Sequence, residues 1–125
     1  MSESAIFART FDNFGVATSA ETRVSTLPGD QAYSDVAMAD AGNFVVTWQR
    51  DHADDGVSWD LYAQRFSKAA AAVGAAIRVN QYTNAEQSGA QVAMDRNGNF
   101  AVVWDSFLQD GSGWGVYGRR FTSGG

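Results

Sequence analysis

No cysteine occurs in the 125 residues. Disulfides, thiolate zinc sites, iron–sulfur clusters and thiol catalysis are thereby excluded. There is one histidine (His52), one lysine (Lys68) and one proline (Pro28). No Gly-x-Ser-x-Gly elbow, phosphate-binding loop or His-Glu-x-x-His string is present, so the familiar signatures of hydrolytic and phosphoryl chemistry are missing. Positive charge is scarce: nine Lys and Arg stand against 14 Asp and Glu, for a net charge of −5. That is not the basic footprint of a nucleic-acid binder. The longest stretch without a polar side chain is Ala69–Ile77, far short of the roughly 20 apolar residues of a membrane-spanning helix. What is present is a chain 45% hydrophobic and 13% aromatic with 18% charged residues, a composition that folds rather than stays disordered.

The chain also repeats itself, and this is its main feature. Phe7-Ala8-Arg9-Thr10-Phe11 recurs as Tyr62-Ala63-Gln64-Arg65-Phe66 and as Tyr117-Gly118-Arg119-Arg120-Phe121, with starts 55 residues apart. Thr22-Arg23-Val24-Ser25 matches Ile77-Arg78-Val79-Asn80 at the same offset. Val36-Ala37-Met38 and Gly42-Asn43-Phe44-Val45-Val46-Thr47-Trp48 match Val92-Ala93-Met94 and Gly98-Asn99-Phe100-Ala101-Val102-Val103-Trp104 at an offset of 56. The one-residue slips fall in polar stretches, where insertions are tolerated. The single domain, 1–125, therefore divides into an N-terminal half-unit of two strands over 1–33, a first full repeat over 34–81 and a second repeat over 82–125 that lacks its last strand.

The blocks read as β-strands. Phe44, Val46 and Trp48 alternate with Val45, Thr47 and Gln49, and both sets are largely apolar, as in a strand covered on both faces. The copy at 100–105 reads the same way. Asn97-Gly98 between two strand-like runs signals a hairpin turn. Nine strands are expected: Ile6–Phe11, Glu21–Thr26, Ser34–Ala39, Asn43–Gln49, Trp59–Phe66, Ala76–Gln81, Ala90–Asp95, Asn99–Ser106 and Trp114–Thr122. The alanine-rich stretch 69–76 reads as a connection, interrupted by Gly74. Four antiparallel strands per unit describe a β-propeller blade. Two units do not close a ring, so the expected fold is all-β and propeller-like, closed by oligomerisation of two to four chains. An N-terminal fourth-type strand would then complete the last unit. The alternative is a pseudo-twofold β-sandwich or barrel.

The string Val92–Asp95, Gly98–Trp104, Gln109–Gly113, Tyr62–Phe66, Arg78–Asn80 resembles a repeat of about 55 residues found in large secreted or surface proteins of bacteria, often beside hemolysin-type calcium-binding repeats. The resemblance covers nearly the whole chain. It implies a non-catalytic extracellular or cell-surface module and no defined activity, and the residues at 51–58 depart from the pattern. No signal-peptide pattern is present in the sequence.

Two kinds of site are suggested by the residues. Asp54-Asp55-Gly56-Val57-Ser58-Trp59 resembles the Asp-box turn of sialidase-type propellers, with His52 in its serine slot; Gln109, Gly111 and Trp114 are the second copy. In that family the box is structural. Trp59 and Trp114 begin strands beside Asp- and Gly-rich loops, where an indole can stack on a sugar's apolar face while polar groups bind its hydroxyls. The candidate ligand residues are Trp59, Trp114, Asp55, Asp110, Gln49, Asp105, Arg65 and Arg120. Asp95-x-Asn97-x-Asn99 alternates oxygen side chains as a calcium loop begins but lacks the downstream acid. It reads as a turn. Asp51, Asp54 and Asp55 form a second acidic cluster that would hold calcium weakly. No resident cofactor or catalytic residue is expected. The leading expectation is a multivalent, lectin-like glycan-binding module; the alternatives are a structural assembly repeat and a calcium-stabilised surface repeat.

Overall fold

A computed structural model describes residues 4–51, 59–81, 86–107, 111 and 113–124. Among the described residues every regular element is a strand. In chain order they are β1 (Phe7–Ala8), β2 (Thr22–Arg23), β3 (Gln31–Met38), β4 (Phe44–Asp51), β5 (Trp59–Phe66), β6 (Ala72–Arg78), β7 (Gln87–Met94), β8 (Phe100–Phe107) and β9 (Trp114–Phe121). They form three antiparallel sheets, ordered β1-β2, β3-β4-β5-β6 and β7-β8-β9. Among the described residues the sheets do not close into a barrel or a ring.

Tight turns join the strands, and the same turn recurs. The amide of Gly98 donates to the Asp95 carbonyl at 3.1 Å, and Gly42 donates to Ala39 at 2.9 Å. Only the glycine of Asn97-Gly98 takes a positive φ, +85°; the expected turn is there, with one left-handed residue rather than two. The β5–β6 turn places Ala70 at φ +63°, in the slot that Gly15 fills one repeat earlier at φ +80°. This turn is completed by Ala71, so β6 begins at Ala72. The stretch 69–76 is thus a turn and the start of a strand, where the sequence suggests a connection running to Ala76. Alanine methyls are too small to announce a strand by alternation.

Sheet β3–β6 is the middle layer. Directly opposed residues share a face, and β4 pairs Phe44 with Phe66 and Val45 with Arg65 along its length. One face gathers Phe44, Val46, Trp48 and Phe66 with Val24, flanked by Ile6 and Ala8 of the N-terminal half-unit. The other face gathers Val45, Leu61 and Ala63 with Val79, Ala90, Phe100, Val102, Trp104 and Phe121 of the second repeat. Residues 44–49 are accordingly all buried, as their two-sided pattern requires. Ring stacking repeats too: Phe44 on Phe66 at 5.1 Å and Phe100 on Phe121 at 4.9 Å.

The second copy departs from this. Phe100, Val102 and Trp104 are buried, but Val103 is 47% exposed. Among the described residues, sheet β7–β9 is covered on one face only. The first-copy residue Leu61 is fully buried, whereas Val116 in the same slot is 76% exposed. We expect Leu61→Ala to lower unfolding free energy by about 2–5 kcal/mol and Val116→Ala to change it by no more than about 0.5 kcal/mol. Chemical denaturation of the two variants at low concentration measures the difference.

Candidate functional site

The first half of β3 and of β7 carries a β-bulge. Register shifts between Ala32 and Asp35, and between Ser88 and Gln91. Each of these two bulges contains one residue with a left-handed backbone, the conformation that favours glycine. In β7 that residue is Gly89, φ +66°. In β3 it is Tyr33, φ +56°. A tyrosine held there costs of order 1–3 kcal/mol where glycine costs little. The strain holds the phenol outward: Tyr33 is 71% exposed.

Its ring meets Trp59 edge to face, with centroids 6.1 Å apart and planes at 72°. The two aromatics form one wall of a cleft of about 740 Å³ between the first and second repeats. The facing wall is polar, built from Glu86, Ser88 and Gln91 around β7. Two side chains hold the walls in place. Asp35 accepts the Val92 amide at 3.0 Å with one oxygen and the Val36 amide at 2.9 Å with the other. Gln49 accepts the Gly89 amide at 3.2 Å and donates to the Gln87 carbonyl at 3.4 Å. Behind the cleft, the Trp104 indole N–H donates to Gln87 Oε1 at 3.0 Å. The equivalent atoms of the first copy, Trp48 Nε1 and Gln31 Oε1, are buried and have no hydrogen-bond partner among the described residues.

Of the residues singled out in the sequence, Trp59 and Gln49 reach this cleft. Trp59 offers its ring; Gln49 is buried and braces the two sheets rather than facing a ligand. Trp114 lies on the uncovered face of β7–β9, half-exposed and packed on Phe107 at 5.1 Å. Asp105 is exposed on that same sheet, beside Gly89. Arg65 and Arg120 do not join the tryptophans. Each sits six residues farther along its strand, about 20 Å away at the rise of an extended chain. Arg65 donates to the carbonyls of Ser123 and, at 3.2 Å, Gly124, and Arg120 lines a groove with Asp95 and Phe121. Asp55 and Asp110 lie outside the described residues, as does all of the Asp-box resemblance before Trp59. Tyr33 is the residue that sequence reasoning missed. Its signal is present: at the offset of 56 it aligns with Gly89, and a bulky residue opposite a glycine marks either an open backbone or strain.

The acidic turn is a turn. Asp95 accepts the amides of Asn97 and Asn99 at 2.8 and 3.0 Å, and the Asn99 side-chain amide at 3.0 Å. Its carboxylate is spent on its own loop, and the first copy, with Ala39 there, makes the same turn without it. No group of three His, Asp or Glu side chains able to hold a metal occurs among the described residues. Compared with family models, with curated proteins and with solved structures, the chain gives no match.

Hydrogen bonding, first from the Asn99 side chain and then from the turn's amides, holds the Asp95 carboxyl below its ordinary value of 3.8. A lowered folded value means that the stabilisation is fully present above about pH 3.8 and is lost as pH falls through the folded value. An NMR titration is expected to give Asp95 a midpoint below 3.8, with the Asn97 and Asn99 amide signals moving in step.

Proposed function

We propose that this chain is a non-catalytic glycan-binding module whose ligand lies in the cleft between the two repeats. The observation that carries the reading is Tyr33: an aromatic side chain kept in a strained backbone slot, beside Trp59 and opposite a polar wall. Backbone strain of this kind clusters where a protein holds a group for use. Edge-to-face aromatics offer a sugar ring an apolar platform, and Ser88, Gln91 and Glu86 supply donors and acceptors for its hydroxyls. Binding is favoured over hydrolysis because Asp35 spends both oxygens on backbone amides, which leaves, among the described residues, no free pair of carboxylates across the cleft.

The stacked sheets fit the propeller-like reading, in which further blades would generate further clefts of the same kind. Weak single sites would then combine through avidity. An extracellular or surface setting suits such a module.

Tryptophan fluorescence titration with a panel of oligosaccharides, guided by a glycan array, tests the proposal. Trp59→Ala and Tyr33→Ala are each expected to weaken binding about tenfold or more, equivalent to about 1.4 kcal/mol. Trp114→Ala is expected to leave it unchanged. Tyr33→Gly separates binding from folding: it keeps the bulge conformation and relieves the strain, so stability is kept or raised, by up to about 1–3 kcal/mol, while affinity falls. An array without hits, or binding indifferent to Trp59 and Tyr33, overturns the reading.

A further inference from the structure

The two ends of the repeat stack are unlike, and they match each other. Inside the chain the second repeat presents Val92, Met94, Phe100 and Val102 to Ala37, Val45, Leu61 and Ala63 of the first. Moving this interface on by one repeat gives the residues that its next copy would use. On the outgoing side they are Ala93, Ala101, Val116 and Gly118, the counterparts of Ala37, Val45, Leu61 and Ala63; these line the uncovered face of β7–β9. On the incoming side they are Val36, Met38, Phe44 and Val46, the counterparts of Val92, Met94, Phe100 and Val102. Here Val36 and Met38 are 58% and 55% exposed, beside a groove of about 420 Å³. So the chain carries both halves of its own internal interface, one at each end.

The strand edges match as well. β9 is an edge strand, whereas its counterpart β5 is completed by β6. The counterpart of β6 is β2, and the register is the same in both places. Tyr62 pairs with Arg78 and Ala63 with Ile77; Phe7 pairs with Arg23 and Ala8 with Thr22. β1 and β2 pair at those two positions only, and the Val24 amide adds one bond to the Ile6 carbonyl at 2.8 Å. Within one chain β2 cannot reach β9, because the half-unit and the second repeat pack on opposite faces of sheet β3–β6.

We infer that a second copy of this chain completes the terminal sheet: β2 of one copy leaves β1 and adds to β9 of the next, with Tyr117 opposite Arg23 and Gly118 opposite Thr22. The open face of β7–β9 then lies over Val36 and Met38, and β9 takes the place that β1 fills in the single chain. Strand addition supplies the backbone hydrogen bonds, and the apolar faces supply the burial. The contact is head to tail, so it propagates until a ring closes. This inference rests on the repeat packing and is independent of the glycan reading. A failed glycan titration leaves it standing.

Because the chain has no cysteine, a directed cross-link tests it cleanly. Thr22→Cys and Gly118→Cys are made as separate variants, mixed and oxidised gently. Directly opposed residues of antiparallel strands have Cα atoms about 4.5–5.5 Å apart, within disulfide range. The expected product is the mixed 22–118 dimer, in clear excess over the 22–22 and 118–118 products, and reduced when Val103→Asp is added to the open face. A double variant Ala8→Cys with Thr22→Cys, which locks β2 to β1 within one chain, is expected to suppress association. Equal yields of the three dimers, or none from folded variants, overturn the inference. Should Gly118→Cys not fold, the unmodified protein gives the same answer through hydrogen exchange: β9 amides are expected to slow as protein concentration rises, and rates independent of concentration contradict it.

Discussion

The structure depends on one requirement: a sheet that is apolar on both faces has to be covered twice. β4 imposes it. Phe44, Val46 and Trp48 need one partner layer, and Val45, Thr47 and Gln49 need another. The first layer comes from the half-unit through Val24, Ile6 and Ala8, and the second from the next repeat through Phe100, Val102 and Trp104. Everything else follows from how this demand is met in the middle of the stack and left unmet at its ends.

The cleft is a by-product of that stacking. Two bulged strands, β3 and β7, approach each other across the second interface, and their bulges open a gap at one end. Asp35 and Gln49 bridge the gap with hydrogen bonds to the backbone of β7. The walls are thus held by the fold itself, and a pre-formed cleft of this kind lowers the ordering cost of the binding proposed for it. Among the described residues two that are not glycine sit at positive φ, Ala70 in a turn and Tyr33 at the cleft, and at Tyr33 the local preference of a bulky side chain and the fold disagree. Conflicts of that kind gather at functional sites in proteins whose other choices are mutually consistent.

Much of this was legible in the residues. Period-2 alternation and the copies at 55 and 56 residues located the nine strands within a few positions, and the two-sided burial of β4 could be read from its composition. β3 begins at Gln31 and β7 at Gln87, each about three residues earlier than expected, because bulges break the alternation that would have revealed them. The second copy looks two-sided in sequence, yet Val103 stands exposed: burial there depends on a neighbouring sheet that the sequence of the strand itself cannot report. The site was half legible. Trp59 was found from its place beside a polar loop. Arg65 and Arg120 were grouped with the tryptophans by residue type, whereas an extended strand carries them to the opposite end. Tyr33 was missed because its importance lies in its backbone angle.

The chain's open ends are inferred to be complementary, so that the sheet β7–β9 gains cover on its second face only from another copy. Native mass measurement over a wide range of protein concentration tests it most directly. The account predicts species that are integral multiples of 13.4 kDa, gaining population as concentration rises. A mass that stays at that of one chain throughout would contradict it.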